Sequence, residues 1–162
     1  HSREKLARKP ELATQDLETT RQSCAVYKEA PVTVINFLEG TRFSEAKRAK
    51  TKSQYTHLLN PKYGGLSATL NAMGEQFTGL VNITIVYQDV PGNLTWSWLC
   101  GQQSGMKVII EVLDIPQELI AGDYSKDPAF KLKFKTWVHA LWTAKDELIG
   151  KLKAQIQQSR DR

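Results

Sequence analysis

The C-terminal part of the chain carries the pattern that most restricts its fold. Apolar residues recur there at three- and four-residue steps, namely Phe130, Phe134, Trp137, Val138, Leu141, Leu148, Ile149, Leu152 and Ile156. This spacing places them on one face of an α-helix of about 30 residues, on the order of 45 Å long. Asp127 and Pro128 are typical of a helix start, because aspartate caps the first backbone N–H groups and proline suits the first position. The stripe therefore predicts a long helix whose first half packs on a sheet and whose end, Leu148 to Ile156, needs a further partner.

Strands and helices alternate in the rest of the sequence, which favours an α/β layer architecture. The predicted strands are Val32–Leu38, Leu58–Leu59, Leu80–Tyr87 and Lys107–Leu113, and the predicted helices are Glu11–Tyr27 and Leu66–Met73, with Gly74 as a C-cap. Phe43–Thr56 and residues 121–126 are predicted as loops, and Pro91-Gly92-Asn93 as a turn. The pattern leaves Trp96–Cys100 open between helix and strand.

Composition limits the class of protein. The chain has 162 residues, of which 41% are hydrophobic and 24% charged, so a folded domain is favoured over disorder. Residues 11–158 are predicted to belong to one domain, preceded by a flexible basic segment at 1–10. No run of about 18 apolar residues is present, so no transmembrane helix is expected in this chain. The net charge of +5 favours anionic partners, which include phosphates, anionic lipids and nucleic acids.

A candidate phosphate site follows the predicted strand Val32–Leu38. Ligands of α/β sheets bind at such strand ends, and the residues that follow are Glu39, Gly40, Thr41 and Arg42. Glycine permits a sharp turn, threonine offers a hydroxyl, and arginine presents a planar set of donors that suits phosphate. Glu39 is suited to orienting the arginine or a substrate hydroxyl. The alternative is a strand followed by a solvated, lysine-rich turn.

Lys62 is a second candidate for anion binding. It follows Pro61 and stands just before Gly64-Gly65, which opens a predicted helix. A lysine and the N–H groups of a helix N-terminus hold an anion jointly in many proteins. A surface lysine beside a tight turn explains the same residues equally well.

These segments resemble a known family. Phe37-Leu38-Glu39-Gly40-Thr41-Arg42 is similar to the FPEGTR motif of the glycerolipid acyltransferases, which acylate glycerol phosphate and lysophosphatidic acid. The run LLNPKYGG at 58–65 resembles the LLxPK segment of that family. NITIVYQD at 82–89 and the stretch to Asp114-Ile115-Pro116 resemble the branch with lysocardiolipin-type and bacterial inner-membrane members. The resemblance covers about Pro31 to Lys153.

The resemblance implies a fold and an activity. The fold is part of the glycerolphosphate-acyltransferase domain, with a mostly parallel or mixed sheet flanked by helices and a long C-terminal helix. The activity is acyl transfer from acyl-CoA or an acyl-carrier protein to a lysophospholipid or glycerol phosphate. Glu39, Gly40, Thr41 and Arg42 correspond to the residues that bind glycerol phosphate. No metal and no cofactor beyond the acyl donor are implied, and the expected location is the cytoplasmic face of a membrane.

The catalytic motif of the family, H-x-x-x-x-D, does not occur in this chain. The residues five positions after His1, His57 and His139 are leucine, lysine and alanine. The general-base histidine and its aspartate are therefore expected upstream of this chain, and the chain is interpreted as a C-terminal fragment with no catalytic residue. Leu38 stands where the family has proline, and the run Ile83–Tyr87 also lacks the family's proline, so no acyl-chain contact is assigned to it.

Two further hypotheses concern partners. The first is a non-catalytic module that binds an anionic lipid or RNA through the basic segment 42–52. It explains the net charge and the absent histidine–aspartate pair, but not FLEGTR at a strand end followed by PK. The second concerns the aromatic residues near Trp96 and on the C-terminal stripe, which either face an anionic membrane or pack in a core. Apolar surface left exposed in a fragment is expected to favour homo-oligomers.

Overall fold

The computed structural model describes residues 32–87, 94–101, 106–120, 122–124 and 126–160. Their helices and strands are α1 (Glu45–Thr51), α2 (Tyr63–Met73), β1 (Leu80–Tyr87), α3 (Leu94–Leu99), β2 (Met106–Leu113) and α4 (Pro128–Arg160), with short 3₁₀ turns at Gly74–Gln76 and Gln117–Leu119. The described residues divide into two compact units. The first unit comprises residues within 32–40, 62–78 and 115–136, and the second those within 41–61, 79–114 and 137–160.

The sheet formed by the described residues has two antiparallel strands. β1 pairs with β2 from Leu80 opposite Leu113 to Tyr87 opposite Met106. The predicted α/β class and the long C-terminal helix are confirmed, but the expected parallel or mixed sheet is wrong for these residues. Residues 88–105 connect the two strands, and a connection of this length permits either direction of pairing. The observed register is antiparallel along both strands.

The predicted strand at Val32–Leu38 is also wrong. Residues 32–37 have no regular secondary structure, and the side chains of Val34, Ile35 and Phe37 are exposed. β-branched residues favour an extended backbone, yet a strand forms only where a neighbouring strand accepts its hydrogen bonds. Leu58 and Leu59 likewise form no strand, although both are buried as the apolar pattern suggests.

The segment predicted as a loop at Phe43–Thr56 contains the helix α1. Ser44 is its N-cap, and the serine side chain accepts a hydrogen bond from Lys47 N at 3.3 Å. Glu45 lies in the first turn and pairs with Arg48 at 2.8 Å. These local contacts favour a helix. The segment was predicted as a loop because its many lysines are typical of a solvated loop. α1 buries no residue, so it is a helix on the surface.

The core of the first unit lies between α2, the Gln117–Leu119 turn and the start of α4. Its buried apolar residues are Leu66, Leu70, Met73, Leu119, Ile120, Phe130 and Phe134. Gly74 is the C-cap of α2, as predicted, with a right-handed backbone that continues into a 3₁₀ turn. A β-carbon at Gly74 would collide with Ile120, so this position requires glycine for close packing.

The core of the second unit lies between the segment 55–59, one face of the sheet and the remainder of α4. Its buried apolar residues are Tyr55, Leu58, Leu59, Val86, Val138, Trp142, Ile149 and Leu152. Lys145 on α4 donates hydrogen bonds to Asn82 Oδ1 and to Ile83 O of β1, both at 2.7 Å. These bonds fix the helix beneath the sheet.

The long helix α4 has the predicted start and extent. Its 33 residues span about 50 Å, and Asp127 Oδ1 accepts from Ala129 N at 2.8 Å and from Phe130 N at 3.1 Å, as an N-cap does.

The predicted packing of α4 is wrong. Phe130 and Phe134 of its first half are buried in the core of the first unit. Its second half, which was expected to need a further partner, bonds to the two strands through Lys145 and Gln155 and buries Ile149 and Leu152. Most of the predicted stripe is buried, but Trp137 is only half-buried and Trp142 is the tryptophan that enters the core.

Other sequence predictions have simple outcomes. Leu80–Tyr87 is a strand as predicted, and the strand predicted at Lys107–Leu113 begins one residue earlier. The segment left open near Trp96 is the helix α3, on which Trp96 and Leu99 are exposed. The basic segment 1–10, the helix at 11–27 and the turn at 91–93 lie outside the described residues. None of the described helices is long and apolar enough to cross a membrane.

Candidate phosphate-binding segment

Gly40 closes a tight turn in the first unit. Its backbone N–H donates to Phe37 O at 2.9 Å. Its φ angle is +63°, a left-handed conformation that glycine adopts without the steric cost other residues meet. The turn expected for this residue is therefore present, and Glu39 is half-buried within it.

Lys62 lies directly against this turn, within the same unit. Its backbone N–H donates to Leu38 O at 2.7 Å. Its side chain runs along Gly40 so closely that a β-carbon there would collide with Lys62 Nζ and lie 3.1 Å from Cδ. Two segments that are 22 residues apart in the sequence thus meet, and an added β-carbon at Gly40 would require the flexible end of the Lys62 side chain to move.

The ammonium group of Lys62 is available to an anion. The lysine is exposed, and the ion pairs of the described residues join Arg48 to Glu45 and Lys133 to Glu118. No described carboxylate therefore neutralises Lys62. Its charge lies at the turn that carries Glu39 and Gly40, where the sequence predicts phosphate.

Thr41 and Arg42 are held by a lysine that the sequence prediction missed. In the second unit, Lys47 Nζ donates to Thr41 Oγ1 at 2.8 Å and to Arg42 O at 2.9 Å. The threonine oxygen accepts from Lys47, so its own proton points elsewhere and can be donated. The guanidinium of Arg42 is exposed and takes no part in the described ion pairs. The available sequence signal was a lysine one turn into a helix capped by Ser44.

The five predicted residues therefore fall in both units. Glu39, Gly40 and Lys62 belong to the first, where Lys62 and Gly40 are in contact. Thr41 and Arg42 belong to the second, where Lys47 binds both. Each unit thus has one lysine in contact with the FLEGTR segment: Lys62 in the first unit and Lys47 of α1 in the second.

A stack of tyrosines and lysines adds positive charge to the first unit. The rings of Tyr63 and Tyr124 lie 6.3 Å apart at 23°. Lys135 Nζ lies 5.8 Å from the Tyr63 ring centre, and Lys131 Nζ lies 5.5 Å from that of Tyr124. Burial raises the pKa of Tyr124 above its ordinary value, so this phenol stays neutral at physiological pH. The i, i+4 spacing of the lysines was the only sequence sign of this cation–π stack.

The histidines of the described residues have structural partners in the second unit. His139 is half-buried, and its Nδ1 forms a hydrogen bond of 2.8 Å with the hydroxyl of Tyr55. Burial of Tyr55 is the main reason that its pKa is raised. Asp146 accepts from the backbone N–H of His57 at 2.7 Å and of Thr56 at 2.9 Å.

No acid–base pair is present in the part of the chain that the structure describes. Neither His57 nor His139 has its ring bonded to a carboxylate there, and Asp146 binds backbone N–H groups instead. Groups of three or more histidine, cysteine or carboxylate side chains that would hold a metal are also absent from the described ranges.

Comparisons of the chain with protein-family models, with curated proteins and with solved structures found no match. The likeness to glycerolipid acyltransferases therefore rests on the motifs in the sequence.

Proposed function

We propose that the chain is the C-terminal part of a glycerolipid acyltransferase and supplies recognition of the phosphate on its acceptor substrate. The observation that carries this proposal is the contact between the two motifs of the resemblance. Lys62 of the LLNPK run binds Leu38 O through its backbone and covers Gly40 of FLEGTR with its side chain. Two sequence signals recognised separately thus belong to one local arrangement.

The chemistry of these residues suits a phosphate monoester. Arg42 can offer two parallel N–H donors to two phosphate oxygens, which a lysine cannot reproduce. In the first unit, Lys62 presents a compact positive charge beside a turn that has no side chain at Gly40. Thr41 can donate its hydroxyl proton, since Lys47 occupies its oxygen. Glu39 is assigned to the glycerol hydroxyl or to orienting Arg42.

The reaction of the whole protein would need a base that the described residues do not supply. In the proposed mechanism a histidine, oriented by an aspartate in a preceding segment, removes the proton of the acceptor hydroxyl. The resulting oxygen attacks the thioester carbonyl of acyl-CoA or an acyl-carrier protein, and the thiol leaves. The chain itself binds and orients the acceptor. Association with the cytoplasmic face of an anionic membrane belongs to the same proposal.

The test uses the longest reading frame that contains this chain. Its thiol release with lysophosphatidic acid and acyl-CoA should fall at least about tenfold in kcat/KM in Arg42→Ala, because a charge-assisted contact is lost. Lys50→Ala, a matched removal of positive charge from α1, should retain wild-type activity. The 162-residue chain alone should show no turnover.

Two results would contradict the proposal. One is a reading frame without H-x-x-x-x-D upstream of this chain. The other is turnover by the chain alone that is abolished in His57→Ala, since the catalytic base would then lie within it.

A second candidate function is a non-catalytic module that binds anionic lipid or RNA. It is favoured by the basic surface helix α1, which carries Lys47, Arg48 and Lys50 and is followed by Lys52 as its C-cap. Such a module should bind anionic vesicles or RNA with a steep salt dependence and with no preference for glycerol phosphate. Equal losses of binding in Lys50→Ala and Arg42→Ala would favour this function over the acyltransferase.

A further inference from the structure

The outward face of the β1–β2 sheet is apolar along its whole length. The register brings Val81 opposite Val112, Ile83 opposite Ile110, Ile85 opposite Val108 and Tyr87 opposite Met106. All of the aliphatic residues in these pairs are exposed, from 43% for Val108 to 77% for Val112. We call these four cross-strand pairs the outward face.

The opposite face of the same sheet is already covered. Thr84 and Val86 are buried on it, and Lys145 of α4 reaches Asn82 there. Lys107 Nζ donates to Gln155 Oε1 of α4 at 2.7 Å. One face of the sheet therefore packs on α4, while the outward face has no described element against it. A two-stranded sheet with one apolar face uncovered is marginal in water.

The size of the outward face is in the upper part of the range for the largest apolar patch of a monomeric protein. Its exposed side chains present on the order of 500 Å² of contiguous apolar surface, and the largest patch of a typical monomer covers about 300–600 Å² and is often functional. Two such faces in contact would bury about 1,000 Å², which approaches the lower end of the range for specific interfaces. The face is thus large enough to hold a second sheet.

The absence of charged side chains on the outward face distinguishes between a membrane and a second copy of the chain as its partner. It carries no lysine or arginine, and the exposed residue that follows β2 is the acidic Asp114. An anionic membrane surface would favour cations at the rim, and none is present on the two strands' outward side. Two uncharged faces, in contrast, can meet without burying any charge. Sheets pack face to face at about 10 Å through such aliphatic side chains.

We propose that the outward face is a self-association surface, on which the same face of a second copy of the chain packs about a two-fold axis. Each aliphatic pair of one copy then fills the space between pairs of the other. This proposal does not depend on the acyltransferase activity, because it concerns a face that carries none of the candidate phosphate-binding residues.

The test is sedimentation velocity of the 162-residue chain over a concentration series of about 1–100 μM. The double variant Ile83→Thr/Ile110→Thr keeps β-branched residues in a directly opposed pair and removes apolar surface. It should raise the dimer dissociation constant at least about 100-fold, since each copy contributes both residues. Leu132→Gln, which alters an exposed leucine of α4, should sediment as wild type.

A second double variant keeps the test valid if the first one does not fold. If circular dichroism shows that the first double variant is unfolded, Ile85→Thr/Val108→Thr replaces a different opposed pair. A wild-type chain that remains monomeric at all concentrations overturns the proposal, and so does a dimer that survives both double variants. Binding of a monomeric wild type to phosphatidylcholine–phosphatidylglycerol vesicles, lost in the variants, would assign the face to lipid and also overturn it.

Discussion

Replacement of Asp146 by alanine should release the segment that precedes Lys62 in the chain. The carboxylate lies on α4 and accepts two backbone N–H groups, from Thr56 at 2.9 Å and from His57 at 2.7 Å. No other contact from α4 supplies these two amides with an acceptor among the described residues. In the variant both amides must bond to water or remain unpaired.

The expected cost follows from these two bonds. A hydrogen bond to a charged group contributes about 1.5–3 kcal/mol, and the contribution is smallest where water can replace it. Thr56 is exposed and His57 is half-buried, so Asp146→Ala should lower the free energy of unfolding by about 2–4 kcal/mol. Asp146→Asn keeps one acceptor oxygen and should cost about half as much.

Urea denaturation measures the loss, and hydrogen exchange locates it. The amides of Thr56 and His57 should exchange faster in Asp146→Ala, while the Trp142 contact to Leu59 O, at 2.9 Å, persists. Glu147→Ala is the matched control, because it removes an exposed carboxylate from the next position of the same helix. Equal stability of Asp146→Ala and Glu147→Ala would refute the anchoring role.

Three further predictions concern stability. Thr84→Val should stabilise the protein by about 1 kcal/mol in urea denaturation, because the buried Thr84 hydroxyl has no hydrogen-bond partner among the described residues; a loss of stability would show that the hydroxyl is satisfied. The pKa of Tyr55 is raised by burial, so the stability from its protonated form is complete below about pH 10 and is lost as pH rises through that pKa. Tyr55→Phe should be less stable than wild type at pH 7, because it loses the hydrogen bond to His139. Its melting temperature should fall less than that of wild type above about pH 10, because it has no phenol to ionise. Parallel plots of melting temperature against pH for the two proteins would contradict this. Gly40→Ala should lower the free energy of unfolding by about 1–3 kcal/mol, because the residue has a positive φ and its new β-carbon would collide with Lys62. In the Lys62→Ala background the collision is absent, so Gly40→Ala should cost less there. A double-mutant cycle without coupling between the two positions would argue against the contact.

The elements that sequence reasoning predicted well are those specified by local patterns. The alternation in Leu80–Tyr87 and the three- and four-residue steps of α4 each record one buried face, and both elements formed within a residue or two of the prediction. Asp127 was recognisable as a cap because capping acts over three residues. Val32–Leu38 failed for the opposite reason, since a strand depends on a partner that no local pattern names.

In the candidate site, too, the sequence predicted the local features and missed the contacts between distant segments. The turn at Gly40 followed from the residue type, because a positive φ favours glycine. The approach of Lys62 to that turn is a contact over 22 residues, and only the resemblance to a family linked the two segments beforehand. The bonds from Lys47 to Thr41 and to Arg42 required a helix that the lysine-rich composition did not suggest. The direction of the sheet was missed because the connection between β1 and β2, residues 88–105, is long enough for either direction, and the alternation within a strand does not name its partner's direction.

Phosphate recognition is tested most directly by titrating the ¹⁵N-labelled chain with glycerol 3-phosphate and following the backbone amides by NMR. The amides of Gly40 and Thr41 should shift in wild type, and Arg42→Ala should weaken binding at least about tenfold. Arg42→Lys should recover only part of the affinity because the planar geometry is lost, Lys62→Ala should weaken binding by a smaller factor, and Lys50→Ala should match wild type. Identical titration curves for all of these variants, or shifts confined to α1, would contradict the assignment of a phosphate site to this segment.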